Sequence, residues 1–134
     1  MNEREFKDRT KKFALRVIKL VTSLPKGLVA DVVGRQLLRS GTSVGANYRA
    51  ACRGRSTADV VNKLGVVEEE ADESMFWMKL LVDAQVVSEK RLAALMTEAN
   101  EITAMVVSSI KTLRRRNAGN PKSKIQNPKS KIEI

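Results

Sequence analysis

Two sets of charged side chains in this 134-residue chain could do chemistry. The first is the acidic run Glu68-Glu69-Glu70-Ala71-Asp72-Glu73. Glu69 and Glu73 are four residues apart, as are Glu68 and Asp72, so each pair shares a face if the run is helical. Carboxylates placed this way could hold Mg²⁺. A di-iron bundle would need Glu-x-x-His pairs on several helices, and the chain has no histidine. That absence also removes the commonest general base and nucleophile activator. Glu70 and Glu73 fit better as ion-pair partners of arginines elsewhere. No catalytic residue, metal site or cofactor is expected, and the chain reads as a non-enzyme.

The second set is basic. Lysine and arginine exceed aspartate and glutamate by 25 to 15, for a net charge of +10. Arg9, Lys12, Arg16 and Lys19 follow at steps of three and four and form one helical stripe. Arg35, Arg39, Arg49 and Arg53 share a face further on. Such stripes are the electrostatic footprint of phosphate binding. The competing reading is a solvated face neutralised by the acidic run. An acidic protein partner is a third. Aromatics are only 4% of the chain, which argues against a base-stacking surface. No base-edge code is legible, so neither sequence specificity nor RNA over DNA is predicted.

The elements that must carry these residues are helices. Apolar residues recur at steps of three and four. Phe6, Phe13, Val17, Leu20 and Leu24 do so in a first block, with Thr10 filling the missing step. Val60, Leu64, Val67, Ala71, Met75, Met78 and Val82 do so in a third, and Leu92, Leu95, Ala99, Ile102, Val106, Ile110 and Leu113 in a fourth. Pro25 marks a boundary, and Ser56 with Asp59 has the capping-box spacing of a helix start. Ser88 is a weaker cap.

The second block places Val29, Val32, Val33, Gln36, Leu37, Ser40, Val44, Asn47 and Ala51 on its expected buried face. Ser40 and Asn47 would then need polar partners. Gly34, Gly41 and Gly45 each cost about 1 kcal/mol against alanine in a helix. They mark either a close approach of a partner helix or a break into two helices. The unbroken apolar steps favour one helix. Apolar residues beside each seam widen the stripes, as in a bundle or an oligomer.

The single cysteine, Cys52, excludes an internal disulfide and reads as a small buried residue. Trp77 reads as a packing anchor in the core or at an interface. No apolar run reaches the roughly 20 residues of a membrane span. The charged start does not resemble a signal peptide, so a cytoplasmic location is expected. Residues 1–117 read as one domain and 118–134 as a flexible basic tail. In the tail Asn120-Pro121-Lys122-Ser123-Lys124-Ile125 recurs seven residues on.

The segment Arg39-Ser40-Gly41-Thr42-Ser43-Val44-Gly45-Ala46-Asn47 resembles the R-S-x-x-S-[IV]-x-A-N motif of the bacterial four-helix bundle proteins. These are also called 23S ribosomal RNA intervening-sequence proteins. The likeness continues through Arg55-Ser56-Thr57-Ala58-Asp59 and Lys63-Leu64-Gly65. It extends to Glu69-Glu70-Ala71-Asp72-Glu73-Ser74-Met75-Phe76-Trp77, which is similar to the family's E-x-x-D-E-x-x-x-W pattern, and covers roughly residues 6–116. Phe76 stands where a tyrosine is usual, and Cys52 where a larger polar residue is common. The resemblance implies an all-α, antiparallel up-down four-helix bundle assembling as a ring-like homopentamer. Some members are encoded within 23S rRNA intervening sequences. A related branch is accessory to diversity-generating retroelements, where it binds nucleic acid and a reverse transcriptase. The expectation is a nucleic-acid-binding, non-catalytic oligomer; the alternative is a structural or interaction scaffold.

Overall fold

The computed structural model describes residues 1–119, which form four α-helices and no strand. They are α1 (Glu3–Thr22), α2 (Leu28–Ala51), α3 (Thr57–Asp83) and α4 (Glu89–Gly119). The tail repeat lies outside the described residues; residues 118 and 119 complete α4.

Local chemistry sets the helix ends. The Asn2 side chain accepts from the Glu5 backbone N–H at 2.8 Å and donates to the Glu5 carboxylate at 2.8 Å. This satisfies an orphan donor of the first turn of α1. The expected cap at Ser56 is present: its Oγ accepts from the Asp59 N–H at 3.1 Å. Asp59 in turn accepts from the Arg55 N–H at 3.0 Å. The weaker cap at Ser88 accepts from the Arg91 N–H at 3.3 Å. Just past the end of α3, Gln85 has a φ of 62°, which lets the Val86 N–H reach the Leu81 carbonyl at 2.9 Å. That left-handed residue is how helices commonly end, although glycine is the usual occupant.

The core is one continuous cluster to which all four helices contribute. The seven expected apolar residues of α4 are all buried, and so are Phe6, Thr10, Phe13, Val17 and Leu20 of α1. Helix α2 is continuous, as its periodicity implied, but its buried face is rotated from the expected one. Val29 and Val32 are 52% exposed, and Gln36 and Asn47 are half-buried. Ala30, Gly34, Gly41 and Tyr48 are buried instead.

The glycines explain the rotation. A Cβ at Gly41 would lie 2.8 Å from a Val17 methyl, and one at Gly45 would lie 3.5 Å from the Thr10 backbone. The helices approach closely, with the α2 glycines against the Val17 side chain and the Thr10 backbone, which turns the glycine side of α2 toward α1. Further along, the Tyr48 and Phe6 rings pack edge to face with centroids 4.7 Å apart. Contacts therefore descend along α1 as they ascend along α2. On its other side, Ser74 of α3 donates to buried Ser40 at 3.0 Å. Ser40 thus finds the polar partner it needs across the core, whereas the Asn47 amide donates within its own helix to Ser43 at 2.8 Å.

Helix α1 leans on α2 and only lightly on α4. Arg9 spans this thin seam: it donates to both carboxylate oxygens of Glu98 at 2.7 Å, and to Glu101 at 3.1 Å. No described helix is long and apolar enough to cross a membrane.

Candidate nucleic-acid interface

The structure divides the basic stripe of α1. Arg9 has turned inward to Glu98 and Glu101, with its side chain 19% exposed. The pair raises the Arg9 pKa and holds the Glu98 carboxyl below the usual carboxylate range, chiefly through their hydrogen bond. Its Nε and Nη2 donors go to carboxylates and its Nη1 meets the Met105 sulfur at 3.3 Å, so most of the Arg9 guanidinium is engaged within the fold. Lys12 is exposed and pairs with Asp8 one turn back at 3.0 Å. Arg16 and Lys19 carry no ion pair among the described residues. They line a groove of about 360 Å³ between α1 and α4, joined there by Arg91 from α4. Arg91 donates to the Ser23 hydroxyl at one end of that groove.

The arginines of α2 also separate. Arg35 pairs with Asp31 of its own helix at 3.2 Å. Arg39 crosses to α3, where it reaches Glu70 at 3.0 Å and also donates to Glu73. Glu73 accepts in addition from the Trp77 indole N–H at 3.0 Å. That bond, with Arg39 beside it, lowers the Glu73 pKa. The expected ion pairs of Glu70 and Glu73 therefore form, with Arg39 alone among the arginines of α2. Arg39 is half exposed, not buried, so losing one carboxylate strands no buried charge. Arg53 is exposed just beyond the end of α2 and has no ion pair among the described residues.

Arg49 belongs to a second groove, between α1 and α2, of about 810 Å³. Its other cations are Arg4, Lys7 and Lys11, which sequence reasoning missed. The signal was present: residues 4, 7 and 11 follow at steps of three and four on the opposite flank of α1 from the stripe that drew attention. Lys7 pairs with Glu3 at 3.3 Å. Arg4, Lys11 and Arg49 carry no ion pair among the described residues. Asp8 and Glu5 also line the groove, Asp8 held by Lys12 and Glu5 by Asn2.

The acidic run is spread around α3, and no three His, Cys, Asp or Glu of the described residues stand together as a metal site. Cys52 is buried, and burial pushes its thiol up to about 11. Tyr48, equally buried, has a hydroxyl with no hydrogen-bond partner of good geometry, and burial raises its pKa. Neither group meets solvent. Trp77 is half-buried against the core, edge to face with Phe76 at 4.9 Å. Phe76 itself is 55% exposed.

An all-α protein of four helices with cationic grooves on both flanks of its first helix is the class these observations define. The model of the 23S rRNA-intervening sequence protein family matches residues 2–108. The chain belongs to that family. A similar solved structure is a protein of unknown function from the S23 ribosomal protein family, from Bacteroides thetaiotaomicron VPI-5482. It is 34% identical, aligns with a TM-score of 0.75, and the match covers 84% of this chain and all of that one. No curated protein matches.

Proposed function

We propose that this protein is a non-catalytic nucleic-acid-binding bundle that works as a homo-oligomer in the cytoplasm. The observation that carries the reading is the convergence of Arg16, Lys19 and Arg91, none in an ion pair among the described residues, on one groove between α1 and α4. Cations outside any close ion pair beside a concave surface, Arg16 feeling only the more distant charge of Glu98, suit the phosphates of RNA or DNA, and their binding releases counterions. Helix contacts that run in opposite senses along α1 and α2 support an antiparallel up-down bundle. The exposed valines of α2 and Phe76 of α3 support self-association, since the core leaves them uncovered. A ring of five, as the family resemblance implies, would repeat each groove five times and raise avidity without any new contact. An accessory role beside a reverse transcriptase is one setting for such a ring.

The test is binding of labelled RNA and duplex DNA across a salt series, by protein whose mass in solution is known. Steep salt dependence that flattens in Arg16→Glu/Lys19→Glu supports the reading. An oligomer that binds neither nucleic acid at low salt refutes it. The competing scaffold reading draws on Arg9 and Arg39, whose charge is spent within the fold. Under that reading both grooves are neutral to nucleic acid and the oligomer meets another protein.

A further inference from the structure

We propose that the groove between α1 and α2 is the path of a single nucleic-acid strand, gripped through its phosphates by Arg4, Lys11 and Arg49. This rests on the nucleic-acid reading and names the ligand's form. At about 810 Å³ the groove has more than twice the volume of the one between α1 and α4. Its floor is made of small residues, Ala14, Gly45 and Ala46. The floor is low because Gly45 lets α2 close on the Thr10 backbone. On α1 the cations stand at positions 4, 7 and 11, rising about 4.5 and 6 Å along the axis. Such steps suit successive phosphates of one strand. Arg49 faces them from α2 near the level of Arg4, since Tyr48 meets Phe6.

Four cations against two carboxylates line the groove. Both carboxylates are engaged by neighbours, and among the described residues Lys7 is the one lining cation in an ion pair. An entering anion therefore meets net positive charge. A trough set between two helices admits one backbone; a duplex, far wider than an interhelical groove, would rest on its rims. No aromatic residue lines the trough, so bases gain no stacking platform. The strand is held without regard to sequence.

The experiment uses the full chain and labelled oligouridine, with a duplex DNA of equal length, in a salt series. Lys11→Gln/Arg49→Gln is compared with Arg16→Gln/Lys19→Gln and with Ala46→Glu, which sets a carboxylate on the exposed floor. All three alter exposed positions, and unchanged helical melting confirms their folding. Loss of two phosphate contacts lowers the single-strand slope by about 1.4 and weakens binding about 25-fold at 0.1 M salt. Ala46→Glu weakens binding likewise, and the duplex is affected less. The proposal is overturned if the parent binds oligouridine steeply while Lys11→Gln/Arg49→Gln binds as tightly. The nucleic-acid reading then stands, with its site elsewhere. An equal loss for the duplex overturns the single-strand assignment. A parent that binds neither overturns both readings.

Discussion

Gly41 and Gly65 are both helical, and alanine at each should move stability in opposite directions. In a helix interior, replacing glycine with alanine gains about 1 kcal/mol. At Gly65 no atom lies within 4 Å of the added Cβ, so the full gain is expected. At Gly41 the Cβ would meet both methyls of Val17, at 2.8 and 2.9 Å. Val17 is fully buried and β-branched, so it has no second rotamer to swing into. Overpacking of this kind costs about 1–3 kcal/mol, which outweighs the propensity gain by about 1 kcal/mol. The two variants should differ by about 2 kcal/mol, or roughly 6–10 °C in Tm for a domain of this size. Thermal melts by circular dichroism at one fixed protein concentration measure this, since an oligomer's Tm depends on concentration. A Gly41→Ala protein that melts at or above Gly65→Ala refutes the close approach of α1 and α2. A cross-check is Val17→Ala, which should cost less in the Gly41→Ala background than alone.

Glu98→Gln should cost about 1–2 kcal/mol at neutral pH, between exposed and buried ion pairs. The Glu98 pKa is lowered in the fold, so its contribution is present above the unfolded carboxylate pKa. It is lost as pH falls through the lower folded value; urea midpoints of parent and variant should therefore converge in acid. Ser74→Ala should cost about 1 kcal/mol by leaving the buried Ser40 hydroxyl short of a partner, and adding Ser40→Ala should cost little more. Ser56→Ala removes the α3 cap and should lower stability by about 1 kcal/mol in chemical denaturation. Cys52 should resist a thiol reagent at pH 8 until denaturant is added.

Helix number, the α4 face and the start of α3 were legible because each depends on neighbours in sequence. The rotation of α2 was not. Val29 and Val32 carry the apolar signal, but an exposed valine and one buried in its own bundle look alike in a hydropathy pattern. The small residues decided the outcome: Gly34 and Gly41 make room for the Val21 and Val17 side chains and Gly45 for the Thr10 backbone, and that close approach outweighs the pull of two valines. The basic stripe of α1 misled for a different reason. Arg9 looks like Arg16 in sequence, yet its partners lie 89 and 92 residues away. Glu70 and Glu73 were found as ion-pair partners because they form one dense acidic run. Arg4 and Lys11 were passed over because Glu5 and Asp8 sit between them and dilute the local charge.

The light contact between α1 and α4 has a consequence for motion. With α2, α3 and α4 sharing most of the packing, α1 is the strap most ready to lift, and Arg9 is its clasp. Amide hydrogens of α1 should exchange with solvent before those of α3, through local opening rather than global unfolding. Both cationic grooves have α1 as a shared wall. A polyanion seated in either would therefore brace the loosest edge of the molecule, making the ligand a structural strut as well as a cargo.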